Sequence, residues 1–132
     1  MGASKYIRQS FTETQGSQIY KARLRVWRQG HSMERVEKPL NPARARELGY
    51  KAKPGYFVVR VKTKRGKRVR NRPAIGRKPG KNRKRENPGK PWQWFAEQKA
   101  MLKHKNAAVV GSYFVGADGE RQYFEVILKT KQ

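Results

Sequence analysis

The sequence predicts an α+β protein: a small antiparallel sheet of about four strands, covered by helices and carrying a long basic loop. Three observations predict it. Residues 56–64, 107–115 and 121–129 are β-rich runs, and the last two are joined by Gly116-Ala117-Asp118-Gly119, a connection of hairpin length. Two other stretches place apolar residues at helical spacing. Between the folded parts, Lys62 to Lys90 holds 14 Lys or Arg and one acid, Glu86, a net charge of +13 in 29 residues.

Taken in order, the elements follow from local chemistry. Tyr20, Leu24 and Trp27 recur at i, i+4 and i+7, which predicts an amphipathic helix over 17–29. Lys21, Arg25 and Arg28 repeat the spacing on the adjacent strip, so one face can meet a core while its neighbour meets phosphate. A short strand is expected over 34–39, stopped by Pro39. Asn41-Pro42 supplies a cap and a first-turn proline for a helix over 42–48, and Gly49 ends it. In 56–64, Phe57, Val59, Val61 and Thr63 alternate with Val58, Arg60, Lys62 and Lys64. That pattern reads as a half-buried strand with a largely cationic outer face. Pro91 opens a helix to about Lys105, with Trp94, Phe95, Gln98, Met101 and Leu102 on one broad side. Phe57, Val59, Val61, Phe124, Val126 and Leu128 are the expected inward residues of their strands.

Composition bounds the function. The 132 residues suffice for one domain, 1–132, with the 62–90 loop inside it. Lys and Arg number 33 against 9 Asp and Glu, a formal charge of +24, which seeks a polyanion. There is no Cys, hence no disulfide and no thiolate metal site. His31 and His104 have no partners at ligand spacing. No apolar run approaches the roughly 20 residues of a membrane span, and no apolar leader opens the chain. Tyr6 breaks the myristoylation pattern. No phosphate-loop or nucleophile signature occurs, and the scattered acids offer no metal-holding pair for a nuclease. The expectation is a non-enzyme without cofactor or metal, with no membrane and no small-molecule substrate.

The basic loop has only Val69, Ala74 and Ile75 as aliphatic residues, with four Gly and three Pro. It cannot bury enough apolar surface to order itself, and it is expected to be mobile until it meets RNA. Its bland reading is a solvated tail or a targeting signal. The functional reading is engagement of phosphates by Lys51, Lys53, Arg60, Lys62, Lys64, Arg65, Lys67, Arg68, Arg70, Arg72, Arg77, Lys78, Lys81, Arg83, Lys84 and Arg85. Arg25, Arg28, Arg44 and Arg46 form a second set. Tyr50, interleaved with Lys51 and Lys53, can stack on an unpaired base, or it can serve as a strand-entry core residue. Trp92 and Trp94 are two apart and cannot share a helical face, so one is core and the other packs under the loop or stacks on RNA; Trp92 is the stacking candidate.

Specific strings add a resemblance. Met1-Gly2-Ala3, Lys5-Tyr6-Ile7, the block RARELGYKAKPGYFVVRVKTKRG from Arg44 to Gly66 and the block SYFVGADGERQYFEVIL from Ser112 to Leu128 resemble the fifteen-e family of archaeal and eukaryotic large-subunit ribosomal proteins. The likeness covers most of the chain, with residues 78–108 matching only in general character. It implies an antiparallel sheet layered with helices, a structural role without a catalytic site, large-subunit ribosomal RNA and neighbouring ribosomal proteins as partners, and a place in the cytoplasmic ribosome. Family members usually continue past the FEVIL strand in a long basic extension, whereas this chain stops at Gln132, so contacts made by that extension do not carry over. The rival reading is a free RNA chaperone or nucleic-acid-compacting protein.

Overall fold

A computed structural model describes residues 2–69 and 85–132. The helices are α1 (Ser4–Thr14), α2 (Gln18–Gln29), α3 (Pro42–Glu47) and α4 (Trp92–Lys103). The strands are β1 (Met33–Val36), β2 (Tyr56–Lys64), β3 (Arg68–Val69), β4 (Arg85–Glu86), β5 (Ala107–Ala117) and β6 (Arg121–Thr130). Four strands form one antiparallel sheet in the order β1-β2-β6-β5, and β3 pairs with β4 in a separate two-stranded ribbon. The α+β class expected from the sequence is therefore the one observed.

Helix α2 forms where the periodicity places it. The Ser17 hydroxyl caps it by accepting from Tyr20 N at 3.3 Å, and Leu24 and Trp27 are buried. Helix α3 is capped by Asn41, whose side chain accepts from Arg44 N at 3.3 Å, with Pro42 just inside. It closes on Gly49, whose φ of 106° is a left-handed conformation that glycine adopts without strain. Helix α1 was not expected. It has no buried residue and no side-chain cap; Ile7 and Phe11 are half-buried, and Arg8 pairs with Glu47 of α3.

Both faces of the sheet are covered, and this corrects the expected exposed face of β2. On one side Leu24, Trp27 and Ala45 pack on Val58, Tyr113, Val115, Tyr123 and Ile127. On the other Ala96 and Ala100 pack on Val59, Val61, Phe124, Val126 and Leu128. Phe124 faces inward as expected, but Tyr123 and Glu125 are buried too, because β6 is an internal strand with helices on both faces. Phe57 is only half-buried.

Helix α4 presents a different side than its apolar residues suggest. Ala96 and Ala100 are fully buried, whereas Leu102, Met101 and Trp94 are exposed. The helix is pinned at its start: Trp92 Nε1 donates to Gly66 O at 2.8 Å, and Gln93 Nε2 donates to Ser112 O at 3.0 Å. Those tethers turn the two small alanines onto the sheet, and small side chains let a helix approach closely. The first strand also differs, spanning 33–36 rather than 34–39. Past Val36 the chain leaves the ladder, and Leu40 N donates to the buried Glu125 carboxylate at 3.0 Å.

Strand β5 is bulged between Val109 and Gly111 and between Phe114 and Gly116. Gly116 sits beneath α2, where an added Cβ would lie 3.1 Å from both Trp27 Cζ3 and Tyr20 Cε2. The Tyr20 ring cannot swing away, since its hydroxyl donates to Ala117 O at 3.0 Å and accepts from Ala117 N at 2.9 Å. Gly116→Ala should therefore destabilise the protein by about 1–2 kcal/mol through overpacking. Chemical denaturation checks this; an unchanged midpoint would show that α2 yields freely.

Candidate nucleic-acid interface

The sequence-expected cations divide by what the fold does with them. Arg25, Arg28, Arg44, Arg46, Lys51, Lys53, Lys64, Arg65, Lys67, Arg68 and Arg85 are exposed. Arg70, Arg72, Arg77, Lys78, Lys81, Arg83 and Lys84 lie outside the described residues, as does most of the segment expected to be mobile. The ends of the 62–90 segment have defined structure: Lys62–Lys64 belong to β2, while Arg68 pairs with Glu86 and Val69 with Arg85. Val69 and Arg85, the described residues on either side of 70–84, thus lie side by side.

Two of the expected contacts are taken up inside the protein. Arg60 is half-buried; its guanidinium lies 4.7 Å from the centre of the Trp27 ring and donates to Glu34 at 3.1 Å. Lys62 Nζ donates to Arg28 O at 3.1 Å and Gly30 O at 2.9 Å, serving the carbonyls at the end of α2. These side chains carry their stems along apolar surface, so alternation alone made them look outward-facing.

The two aromatic candidates are also partly absorbed. Tyr50 packs against the α2 side of the core, which agrees with its alternative reading as a core residue. Trp92 packs against the α4 side and holds Gly66, so its indole is committed to the turn after β2. Trp94 is the more exposed of the tryptophan pair, and the Lys90 ammonium lies 6.0 Å from its ring centre.

The exit of β2 is the best-fixed cationic region. Arg65 N donates to Glu120 O at 3.0 Å, and Arg65 Nη1 donates to Asp118 O at 2.5 Å. Together with the bond from Trp92 to Gly66, these hold Lys64-Arg65-Gly66 against the β5–β6 turn and the start of α4. That turn is itself ordered by Asp118, whose carboxylate accepts from Glu120 N at 2.9 Å and Arg121 N at 2.7 Å. Burial pushes the Asp118 carboxyl up, but those two N–H groups, the Arg28 guanidinium and the Tyr123 hydroxyl outweigh it and hold it below its ordinary value. Tyr123 is pushed up to about 12, by burial first and then by the Asp118 charge.

Lys99 and Arg121 belong to the same region, and the reading of the sequence did not single them out. Lys99 Nζ donates to Lys62 O at 3.1 Å, which brings α4's ammonium to the end of the sheet. Arg121 stands directly opposite Lys64 in the β2–β6 register. The signal was weak: each shares a mostly uncharged element with one other cation, and only packing β6 and α4 against β2 brings them to that end of the sheet. Among the described residues no helix is long and apolar enough to cross a membrane, and no group of three or more His, Asp or Glu could hold a metal ion.

These features define a compact cationic scaffold whose charges are carried on strand ends, turns and helix faces. The family model described as Ribosomal L15 matches residues 2–131, and the chain belongs to that family, which is one of ribosomal proteins and not of enzymes. It is 38% identical over 130 residues to the large ribosomal subunit protein eL15 of Nanoarchaeum equitans, covering 97% of this chain and 68% of that protein. It is 39% identical over 127 residues to the protein of the same name from Methanocorpusculum labreanum, covering 93% of this chain and 66% of that one. The chain thus spans about two thirds of the length of these curated relatives. The family expected from the Arg44–Gly66 and Ser112–Leu128 strings is the family found.

Proposed function

We propose that this chain is a structural constituent of the large ribosomal subunit in the cytoplasm, binding large-subunit ribosomal RNA through its basic segment and the cationic faces beside it. The observation that carries the reading is the family match over residues 2–131 on a chain with 33 basic and 9 acidic residues. Whatever ion pairs form within the protein, nine acids leave 24 positive charges to be met from outside. The mechanism is charge neutralisation and shape fitting, with counterions released from the RNA as Lys and Arg approach its phosphates. The exposed candidates Arg25, Arg28, Arg44, Arg46, Lys51, Lys53, Lys64, Arg65, Lys67, Arg68 and Arg85, with the seven cations between 70 and 84, are the proposed phosphate contacts. Neighbouring ribosomal proteins are the proposed second class of partner.

Salt dependence tests this reading. If about ten cations meet phosphates, log affinity for ribosomal RNA should fall against log salt with a slope of roughly −7 to −9. A slope near −2 would place most of the charge away from the interface. Co-sedimentation of the chain with large subunits through a high-salt cushion separates a constituent from a free RNA chaperone, which washes off.

A further inference from the structure

We infer that Lys53, Tyr56 and Lys129 form a seat for the phosphate backbone of the RNA at the end of the sheet where β2 begins, opposite the end that leads into the basic segment. The inference rests on the RNA-binding reading above and adds Tyr56 and Lys129 to its contacts. Lys64, at the other end of β2, is about 27 Å away at the rise of an extended strand. The seat therefore makes the interface two-ended.

Local bonds fix the three residues in place. Tyr56 opens β2 and stands directly opposite Lys129 of β6 in the antiparallel register, so their side chains project from the same face. Lys53 lies in the turn just before the strand, where Tyr56 N donates to Lys53 O at 3.3 Å. Thr130 N donates to Gly55 O at 2.8 Å, and Lys131 N donates to Asn106 O at 2.7 Å. These bonds tie the turn, and the residues after α4, to the last part of β6.

The Tyr56 ring gathers the charges. Lys53 Nζ lies 5.8 Å from its centre and Lys129 Nζ 5.6 Å, each within the range of a cation–π contact. Both lysines are exposed, and among the described residues neither ammonium has a hydrogen-bond or salt-bridge partner. The stretches joined here, 48–85, 98–117 and 126–132, contain no Asp or Glu. Lys51, Lys103, Lys105 and Lys131 add further exposed cations to them.

That arrangement suits an anion supplied from outside. A ring face offsets part of the lysines' mutual repulsion without neutralising them. An ammonium has three N–H donors and no acceptor, so one that rests against a ring keeps donors for a phosphate oxygen. Lysine is a flexible point charge, and the ring restrains it much as a guanidinium's own plane restrains arginine. Less side-chain entropy is then lost when the anion arrives. RNA repeats a phosphodiester at every nucleotide, so the two ammoniums can meet one phosphate or two in succession. Tyr56 acts as the positioning residue and the lysines as the contacts.

Charge and position separate in the test. Lys53→Gln and Lys129→Gln should each weaken binding of the full-length chain to large-subunit ribosomal RNA about threefold at physiological salt. Each should also reduce the magnitude of the log affinity–log salt slope by roughly 0.7–0.9. Tyr56→Leu removes the ring but no charge, so affinity should fall about threefold with the slope unchanged. Tyr56→Phe keeps the ring and should bind like the wild type. Denaturant midpoints show whether the half-buried Tyr56 position tolerates Leu; the lysines are exposed, so their variants carry the test whatever that outcome. The inference is overturned if both lysine variants keep the wild-type affinity and slope, or if Tyr56→Phe loses as much affinity as Tyr56→Leu. In either case the wild-type slope still stands as the separate test of RNA binding. A wild-type chain that fails to bind the RNA removes the reading beneath the seat, and the seat with it.

Discussion

Replacing residues 70–84 with Asn-Gly should leave the protein folded and lower its affinity for ribosomal RNA by roughly a thousandfold at physiological salt. The folded half of this expectation comes from the ribbon. Arg68 faces Glu86 and Val69 faces Arg85 in antiparallel register, so the residues that flank the excised segment already lie side by side. An Asn-Gly pair closes a two-residue hairpin between antiparallel strands, and a shorter loop costs less entropy to close. Among the described residues, both apolar clusters draw on residues before Lys64 and after Lys90. The binding half comes from charge. The excision removes Arg70, Arg72, Arg77, Lys78, Lys81, Arg83 and Lys84. If these meet phosphates, the salt slope should shrink in magnitude by about 5–6. Denaturant unfolding and RNA titration over a salt series measure the two halves separately. A shortened chain that binds as tightly as the parent would move the interface off this segment; one that no longer folds would make the segment part of the body.

Glu125→Ala should destabilise the chain by about 3 kcal/mol, because it orphans the buried Tyr113 hydroxyl and the part-buried Leu40 N–H. The Glu125 side chain lies in the middle of the internal strand, completely buried, and its Oε2 accepts from Leu40 N at 3.0 Å and from the Tyr113 hydroxyl. Its Oε1 has no hydrogen-bond partner among the described residues. Burial raises the Glu125 carboxyl above its ordinary value of 4.5, against the lowering effect of those two donors and of Arg60 and Arg23. Burial, then the Glu125 charge, likewise raises the Tyr113 hydroxyl. The sign of the pH effect follows. Below the ordinary carboxylate value Glu125 is protonated in both states, so its ionisation costs the fold nothing. As pH rises from there through the higher folded-state value, the unfolded chain releases its proton first, and stability is lost. Glu125→Gln keeps an acceptor for Leu40 and Tyr113 but does not titrate. The stability of the Gln variant relative to the parent should therefore grow with pH across that window and stay flat on either side. A difference that is constant with pH would mean that the carboxyl is not raised.

Much of this architecture was legible because its signals are local. Ser17, Leu24 and Trp27 mark α2; Asn41, Pro42 and Gly49 mark α3; the strand runs and their turn mark β5 and β6. What escaped the sequence depends on contacts between distant elements. Helix α1 has no cap side chain and no buried residue, and it is placed by half-buried Ile7 and Phe11 and by the Arg8 to Glu47 pair. The cover over the second face of β2 was hidden because Arg60 and Lys62 are charged. Their polar ends find Trp27, Glu34 and the carbonyls at the end of α2, partners supplied only when α2 and β1 fold against the sheet. In α4 the bulky residues suggested the buried side, but Ala96 and Ala100 occupy it, since the tethers at Trp92 and Gln93 set the helix's rotation. The binding surface follows the same division. A dense basic segment shows in any charge count, whereas the placing of Arg121 opposite Lys64 exists only in three dimensions.

The strand order has a consequence for synthesis. β6 follows every other strand in the sequence, yet it sits between β2 and β5 in the sheet. At about 5–20 residues per second, a ribosome takes roughly 3–11 s to extend the chain from Lys64 to Arg121. Throughout that interval β2 has only the four-residue β1 beside it, and neither apolar cluster has its central strand. Non-local pairing of this kind is slow, and it leaves strand edges open until the final partner arrives. The polycation emerges during this wait, ahead of the strand that closes the body. A growing chain therefore offers its charge to RNA before its own interior is sealed, and an anion bound at that stage would meet a partly built protein rather than a finished one.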